Sequence, residues 1–398
     1  MKISVNKALS HYISLSIIVL LFQALISRLL PIATYYDEFF ELSLIFILLF
    51  LKKAISKENF IVLVLVLFTI ALGVIGNFKS NYNLSIVPMA LDVIVILKPF
   101  VAIIAMKELC NPQIVKNVYH NIKNVLELYI LLAVALYIPL YFIDRSSAFS
   151  QVRFGLPSYA FIAGNPGILG INVSEIIAFL SLNDGYYSSI KGKTILIMGL
   201  FLCLATTKGP SLVFVGIFLL LIFLMGQKIR IWQIIVSIIV VLGVSQYQIK
   251  TYIKDVTSPR SLLLNTGINL AKEFFPLGTG LGTFGNQVSY DYYSPVYYKT
   301  GLAYVWGLRP QDNAMFMNDN YWPMLMAQFG YIGATIFLGI YIFFFAELNK
   351  LIDEYKLRKQ IFITLYGTLM YMSLASAYLT GTIGELGFLV IGLYIALI

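Results

Sequence analysis

Basic side chains that could bind phosphate recur in the polar stretches between the apolar segments of the sequence. Arg153, Lys208, Arg260 and Arg309 lie in stretches that we place, below, on one side of a membrane. The guanidinium group of Arg forms a planar fork that matches phosphate, whereas Lys acts as a point charge. Gathered at a membrane surface, these residues would suit a lipid diphosphate. The alternative is scattered surface charge, with long side chains that reach the interface.

A carboxylate and an amide stand immediately before a late apolar segment. The segment MNDNYW contains Asp319 and Asn320. Asp319 could act as a general base on a sugar hydroxyl, and Asn320 could bind substrate beside it. Asp and Asn are also favoured N-caps of helices, so that the same pair could simply begin the next helix.

A glycine-rich segment and an aromatic run lie between these charged residues. PLGTGLGTFG contains Gly-x-Gly-x-x-Gly at Gly280, Gly282 and Gly285, but the strand–turn–helix context of a dinucleotide site is missing. The backbone amides of Gly280 and Gly282 could still form a nest for phosphate, or the glycines could form a simple turn. The tyrosines from Tyr290 to Tyr304, with Trp306, suit sugar stacking, a membrane-interface belt or a small core of their own.

Composition indicates an all-α polytopic membrane protein. Of the 398 residues, 59% are hydrophobic and 12% charged, against about 45–50% and about 25% in soluble domains. The net charge of +9 is explained by basic cytoplasmic loops, so we expect no nucleic-acid partner. The sequence has no P-loop, no Asp-x-Asp pair and no HExxH motif, and we expect neither a metal nor a cofactor.

Twelve apolar stretches are candidates for membrane-spanning helices, which need about 20 apolar residues. The basic short loops alternate and place both termini in the cytoplasm, with extracytoplasmic segments at 144–165 and 247–321. We therefore predict spans 1–9 within residues 1–246, a large catalytic loop at 247–321, and spans 10–12 within 322–398. The predicted spans lie near 12–30, 38–51, 59–76, 85–106, 124–143, 166–182, 193–207, 209–226, 230–247, 322–346, 361–379 and 382–398.

The large loop carries its own helix signals. Ser258 is a good N-cap, Pro259 suits the first helical position, and Pro276 should end the helix near Phe275. We expect an amphipathic helix on the outer membrane surface. Within the apolar stretches, Asp92, Lys98 and Glu175 are costly charges and functional suspects. Asp92 and Lys98 do not share a helix face well, so they are expected to pair with other helices.

Four segments, in order, resemble the bacterial O-antigen polymerase and O-antigen ligase superfamily. RFGLPSYAFIAGNP, with Arg153 and Asn165, is similar to its Arg-then-Asn-Pro segment; ATTKGPSLVFVG is similar to its Thr-x-Ser-Arg-Gly turn, with Lys208 where Arg is usual. PRSLLLNTGINLAKEFFPLGTGLGTF resembles its Arg-initiated loop helix and glycine turn. DNYWPMLMAQFGYIG resembles its segment of His or Asp, Asn and an aromatic residue, in which ligases typically carry His where Asp319 stands here.

The resemblance implies a GT-C-like membrane glycosyltransferase acting on undecaprenyl-diphosphate-linked glycans at the outer face of the cytoplasmic membrane. It implies Arg153, Arg260 and Asp319 as catalytic residues. Substrate-binding roles fall to Lys208, Arg309, Asn165, Gly280, Gly282 and Asn320. Because the outer segments contain no histidine, the polymerase is favoured over the ligase. A polysaccharide chain-length regulator is an expected partner, beside membrane lipid and the lipid-linked substrates.

A protein of another class would also fit much of the sequence. A lipid-linked oligosaccharide flippase has a similar number of spans and intramembrane charges, but it has no evident need for so long a loop with a helix and a glycine turn. Symmetry between halves would favour a transporter, and none is visible in the sequence. A membrane scaffold would leave the charged loop unexplained.

Overall fold

The computed structural model describes residues 2–51, 54–82, 85–224, 257–312, 316–374 and 376–398, together with isolated positions between 232 and 255. Helices dominate these residues. The first ten helices are α1 (Lys2–Leu29), α2 (Tyr36–Phe50), α3 (Lys57–Ser80), α4 (Ile86–Leu109), α5 (Pro112–Ala135), α6 (Tyr137–Ile143), α7 (Arg145–Ala148), α8 (Pro166–Leu180), α9 (Ile190–Ala205) and α10 (Gly209–Leu224). The later ones are α11 (Pro259–Glu273), α12 (Gln287–Asp291), α13 (Pro295–Lys299), α14 (Tyr321–Lys350), α15 (Lys356–Ser373) and α16 (Thr382–Leu397).

The long helices are those of a membrane protein. Four of the described helices are long and apolar enough to cross a membrane, or up to five when α5 and α6, bent by 47°, count as one span. Helices α8, α10 and α16 are apolar but shorter. Eleven of the twelve predicted stretches coincide with helices, although the helix in 361–379 ends at Ser373. The ninth stretch, 230–247, lies largely outside the described residues. A count of twelve spans and the direction of the chain across the membrane stay predictions.

Several helices begin with a polar cap followed by proline. The side chain of Asn111 accepts from Ile114 N–H before α5, that of Asn165 from Gly167 N–H before α8, and that of Ser258 from Ser261 N–H before α11. The cap satisfies an amide that has no partner within the helix, and proline fits the first turn because it has no amide to satisfy. Both signals are local, so these three boundaries follow from the sequence.

A short β-hairpin corrects the expectation of a purely helical chain. Strands β1 (Phe149–Arg153) and β2 (Leu156–Tyr159) pair antiparallel within the predicted 144–165 segment. Gly155 at its tip has a φ of +75°, which residues other than glycine rarely adopt. The side chains of Val152, Phe154 and Leu156 around the tip are exposed, although they are apolar.

The large loop has a core of its own, distinct from the core of the long helices. Its buried residues come from α11, from the glycine-rich turn and from the aromatic run, and Ala327 of α14 joins them: they are Leu263, Leu270, Phe284, Val296, Tyr297, Leu302, Ala303, Leu308 and Met317. The helix predicted to end near Phe275 ends at Glu273, and its buried side packs on the start of α14. The core interpretation of the aromatic run is therefore right for Tyr297, while Tyr304 and Trp306 are exposed.

The glycine-rich turn fastens this loop to the long helices. The backbone of α14 leaves the helical conformation at Gly330, and the carbonyl oxygens of Ala327 and Gln328 accept hydrogen bonds from Thr279 N–H (2.7 Å) and Gly280 N–H (3.0 Å). A helix break frees such carbonyls for other donors.

Two polar side chains of the preceding helices hold the next residues of the turn. The side chain of Asn77 in α3 bonds both the N–H and the C=O of Leu281 at 2.8 Å. The Asp92 carboxylate in α4 accepts from Gly282 N–H at 2.6 Å and from the amide of Asn286. Asp92 therefore anchors the loop.

Replacing Gly280 with alanine is expected to loosen the loop from the helices. A Cβ at Gly280 would lie 2.3 Å from the backbone nitrogen of Asn77, at a φ of +96°. The strained backbone and the clash together should lower the free energy of unfolding by about 3 kcal/mol. Gly301→Ala is the matched control, because its φ is +77° but nothing lies within 4 Å. Thermal unfolding and the protease sensitivity of the loop are measured for both variants. Equal destabilisation by the two substitutions would contradict the role of Gly280 in docking the loop.

Candidate functional site

An ion pair joins the start of the loop helix to the start of α14. Arg260 lies in the first turn of α11, and its Nε and Nη2 both approach Oδ2 of Asp319 at 2.9 Å. Asn320, the next residue, donates its side-chain amide to the carbonyl of Arg260 at 3.1 Å. Asn320 occupies the N-cap position of α14 without a capping hydrogen bond from its side chain. The side chain of Asp319 is thus directed to Arg260, and not to the capping role that the sequence also allowed.

Two further basic residues meet on a single glutamine. The side-chain oxygen of Gln151, in β1, accepts from Arg153 Nη2 and from Lys208 Nζ, each at 3.2 Å. Lys208 lies in the turn between α9 and α10. Burial, together with the positive charges of Arg153 and Arg260, lowers the pKa of Lys208 to about 8. Lys208 therefore lies within electrostatic reach of both Arg153 and Arg260, and these three residues, hereafter the cationic cluster, come from three separate segments.

Asp319 is the carboxylate of this site. Burial raises its pKa, and the adjacent Arg260 opposes the rise. A carboxylate held between these influences can remain ionised and yet accept a proton, as a general base must. Tyr378, between α15 and α16, lies close enough to be affected by both members of this pair. Burial and the charge of Asp319 raise the pKa of its hydroxyl, and Arg260 partly opposes the rise.

Sequence reasoning missed Gln151 and Tyr378. Nothing in the composition around Gln151 distinguishes it from other polar residues of an exposed segment. Tyr378 lies in a short polar break, SAYLTG, that we counted as the end of a predicted span at 361–379; helix α15 ends earlier, at Ser373. The polar character of that break is the signal that could have found it.

Other predicted site residues have structural tasks. The side chain of Asn165 caps α8 by accepting from Gly167 N–H at 2.8 Å. The backbone N–H of Gly280 donates a hydrogen bond to the carbonyl oxygen of Gln328, and that of Gly282 donates to the carboxylate of Asp92. These two amides are therefore already committed within the protein, and the geometry does not favour the prediction that they bind phosphate.

Arg309 is paired within the loop. Its Nε and Nη2 donate to the carboxylate of Asp312 at 2.9 and 3.1 Å, which holds the pKa of Asp312 below its usual value. Arg309 is not among the charges that shift the pKa of Lys208 or Asp319. The structure thus does not bring Arg309 to the cationic cluster.

The Arg309→Ala variant is accordingly expected to keep the activity that we propose below within about threefold of the parent, because an exposed pair contributes little. The glycan ladder described below measures it. A loss of activity as large as that expected for Arg260→Ala would show that Arg309 is part of the functional site.

The charges within the helices are paired or buried. Lys98 contacts Asp37 and Glu38 of α2, both at 2.6 Å, so the expectation that it pairs with another helix is confirmed. Asp92 instead bonds the large loop. Glu175 is buried, and its carboxylate oxygens have no hydrogen-bond partner among the described residues. The part of the chain that the structure describes contains no group of three or more His, Cys, Asp or Glu side chains suited to hold a metal ion.

No protein-family model matches the chain, and no curated protein matches it either.

Proposed function

We propose that the protein is a polysaccharide polymerase of the bacterial cytoplasmic membrane. It transfers a growing glycan from a lipid diphosphate onto a lipid-linked repeat unit, at the extracytoplasmic face. The observation that carries this proposal is the convergence of cations from three chain segments on one carboxylate site. Arg153 and Lys208 share Gln151, Arg260 lies within electrostatic reach of Lys208, and Arg260 pairs with the largely buried carboxylate of Asp319. Unlike scattered surface charge, such an arrangement combines an anion site with a base.

The surroundings of the cluster suit an amphiphile. Arg153 stands between Val152 and Phe154, which are 65% and 70% exposed. Exposed apolar side chains beside a cationic group match a substrate with an apolar tail and a charged head, since the tail can remain in lipid while the head meets the cations. A soluble nucleotide-sugar donor would not need this apolar tip.

The proposed reaction is substitution at the anomeric carbon of the donor. The bond from this carbon to the lipid diphosphate breaks, and its electron pair leaves with the diphosphate. The cationic cluster stabilises that negative charge as it develops. The acceptor hydroxyl forms the new glycosidic bond, and Asp319 takes its proton.

The position of the histidines supports a polymerase over a ligase. His11 and His120 line one cavity together with Lys7, near the start of α1. The other end of α1, at Arg28, is 17 residues further along, which corresponds to about 25 Å of helix. Ser27, at that end of α1, lines the same cavity as Asn318, the neighbour of Asp319. Neither histidine therefore belongs to the site of Asp319.

The decisive experiment is deletion of the gene in its host, followed by gel analysis of the surface polysaccharide. Polymerase function predicts single repeat units attached to the normal acceptor, because export and ligation continue. Long chains left on the lipid diphosphate would instead indicate a ligase. Repeat units retained on the cytoplasmic face would indicate a flippase and would overturn the proposal. Complementation with the intact gene must restore the ladder.

A further inference from the structure

A cavity lined by both polar and apolar side chains lies beside the ion pair of Arg260 and Asp319. Its volume is about 450 Å³, within the range of about 300–1,000 Å³ that is usual for small-molecule sites. Helices α1, α2, α4, α8 and α16 contribute to its wall, as does the large loop. Among the side chains that line it are Gln23, Asp37, Glu38, Lys98, Asn318 and Tyr378. It is thus rich in hydrogen-bonding groups, although long apolar helices surround it.

An ion triad forms one side of this cavity. Lys98 is 2% exposed and lies between Asp37 and Glu38, at 2.6 Å from each. Gln23 donates to Asp37 at 2.8 Å, and Thr382 donates to Gln23 at 2.6 Å. Removing such charges from water is costly, and charges among apolar helices usually mark a functional site.

Glu38 is the member of the triad most open to the cavity. Its side chain is 24% exposed, against 6% for Asp37. Its Oε1 contacts Lys98, whereas its Oε2 has no hydrogen-bond partner among the described residues. A buried oxygen without a partner is unfavourable, so a small rotation that turned Oε2 towards the cavity would let a ligand hydroxyl donate to it.

Another side of the cavity adjoins the ion pair of Arg260 and Asp319. Asn318 precedes Asp319, and its carbonyl accepts from Ala377 N–H at 2.6 Å, which holds it beside Tyr378. The side-chain amide of Asn318 donates to Gln287 at 2.9 Å, while its Oδ1 lacks a partner within the described part of the chain. A ligand in the cavity would therefore lie next to the proposed base.

We propose that this cavity binds a neutral sugar of the lipid-linked repeat unit, next to the atoms that react. The inference rests on the proposed function. Carboxylate and amide groups bind the adjacent hydroxyls of a sugar, and the ring of Tyr378 offers an aromatic face. The two carboxylates exceed the one lysine, so that the cavity repels anions. Diphosphate is thereby confined to the cationic cluster, and uronic acids are excluded from the cavity.

Two probes separate the cavity from the cluster. The first is the neutral oligosaccharide obtained when repeat units are released from lipid by mild acid, and the second is inorganic diphosphate. Binding of each to the full-length protein in lipid nanodiscs is measured by calorimetry. Glu38→Gln and Asn318→Ala are each expected to weaken oligosaccharide binding at least tenfold and to leave diphosphate binding unchanged. Arg260→Ala is expected to weaken diphosphate binding and to leave oligosaccharide binding unchanged.

The control is Glu347→Gln, since Glu347 pairs with Lys107 away from the cavity. Glu38→Gln can disturb the ion triad, whereas Asn318→Ala leaves the triad intact, so the second variant decides if the first fails to fold. Unchanged oligosaccharide binding in Asn318→Ala would overturn the cavity proposal even if the gene deletion abolished the ladder. A flippase or ligase outcome of that deletion would instead overturn the proposed function.

Discussion

Arg260→Ala is expected to lower the rate of chain extension at least about a hundred-fold, the loss usual when one electrostatic contact to a transition state is removed. The variant removes a cation from the cationic cluster and also leaves Asp319, largely buried, without its 2.9 Å partner. The measurement is the glycan ladder in a deletion strain that carries the variant, followed by the rate of the purified protein on lipid-linked repeat units.

Two comparisons make this result specific. Lys299→Ala removes a basic residue of the same loop whose partner, Glu273, is equally exposed, and it should retain the ladder. Asp319→Asn keeps a side chain that can accept from Arg260 but cannot act as a base, so it should lose activity as severely as Arg260→Ala. Near-normal activity of Asp319→Asn would show that Asp319 only positions Arg260. Normal chains from a correctly inserted Arg260→Ala protein would contradict the whole assignment.

Activity should fall as pH rises through about 8, because the pKa of Lys208 is lowered to about 8. Below this pH the amine is charged and helps to hold the diphosphate; above it the amine is neutral and the cluster loses one of its three charges. This fall should be seen in kcat/KM, because the pH dependence of kcat/KM reports the pKa values of the free enzyme. Bound diphosphate favours the charged amine, so the fall in kcat should occur at higher pH.

Lys208→Arg is the matched variant for this pH dependence. Arginine stays charged throughout the range, and it is the residue usual at this position in the superfamily that the sequence resembles. We expect Lys208→Arg to keep kcat/KM level from pH 7 to about pH 9, and Lys208→Ala to be weak at every pH. A fall near pH 8 that persists in Lys208→Arg would assign the titration to another group.

The helices illustrate what hydropathy and caps can predict. The apolar stretches and the pair Ser258–Pro259 predicted helices where the structure has them. The pairs Asn111–Pro112 and Asn165–Pro166 carry the same local signal, although the sequence analysis did not use it. These signals act within one or two turns. Hydropathy could not say how the helices pack, because a helix that is apolar on all sides carries no preferred face in its pattern.

The hairpin and the broken helix show where such reasoning ends. Strands β1 and β2 are short and lack regular alternation of buried and exposed residues, so they were not predicted. The break at Gly330 depends on the loop that docks there, with Pro276 O in the place that a Cβ would occupy. Neither feature follows from the residues nearest to it in the chain.

For the site, the sequence by itself determined which residue types were candidates, because only 12% of the residues are charged. Only the tertiary structure decided which of them act together. Arg260 and Asp319 are 59 residues apart and Asp92 and Gly282 are 190 apart, and both contacts form because the large loop packs against the long helices. Arg309 is equally basic, but it pairs with Asp312 within the loop and does not join the cationic cluster. Ion pairing depends on distances of a few ångströms, and packing, which spacing along the chain does not specify, sets those distances.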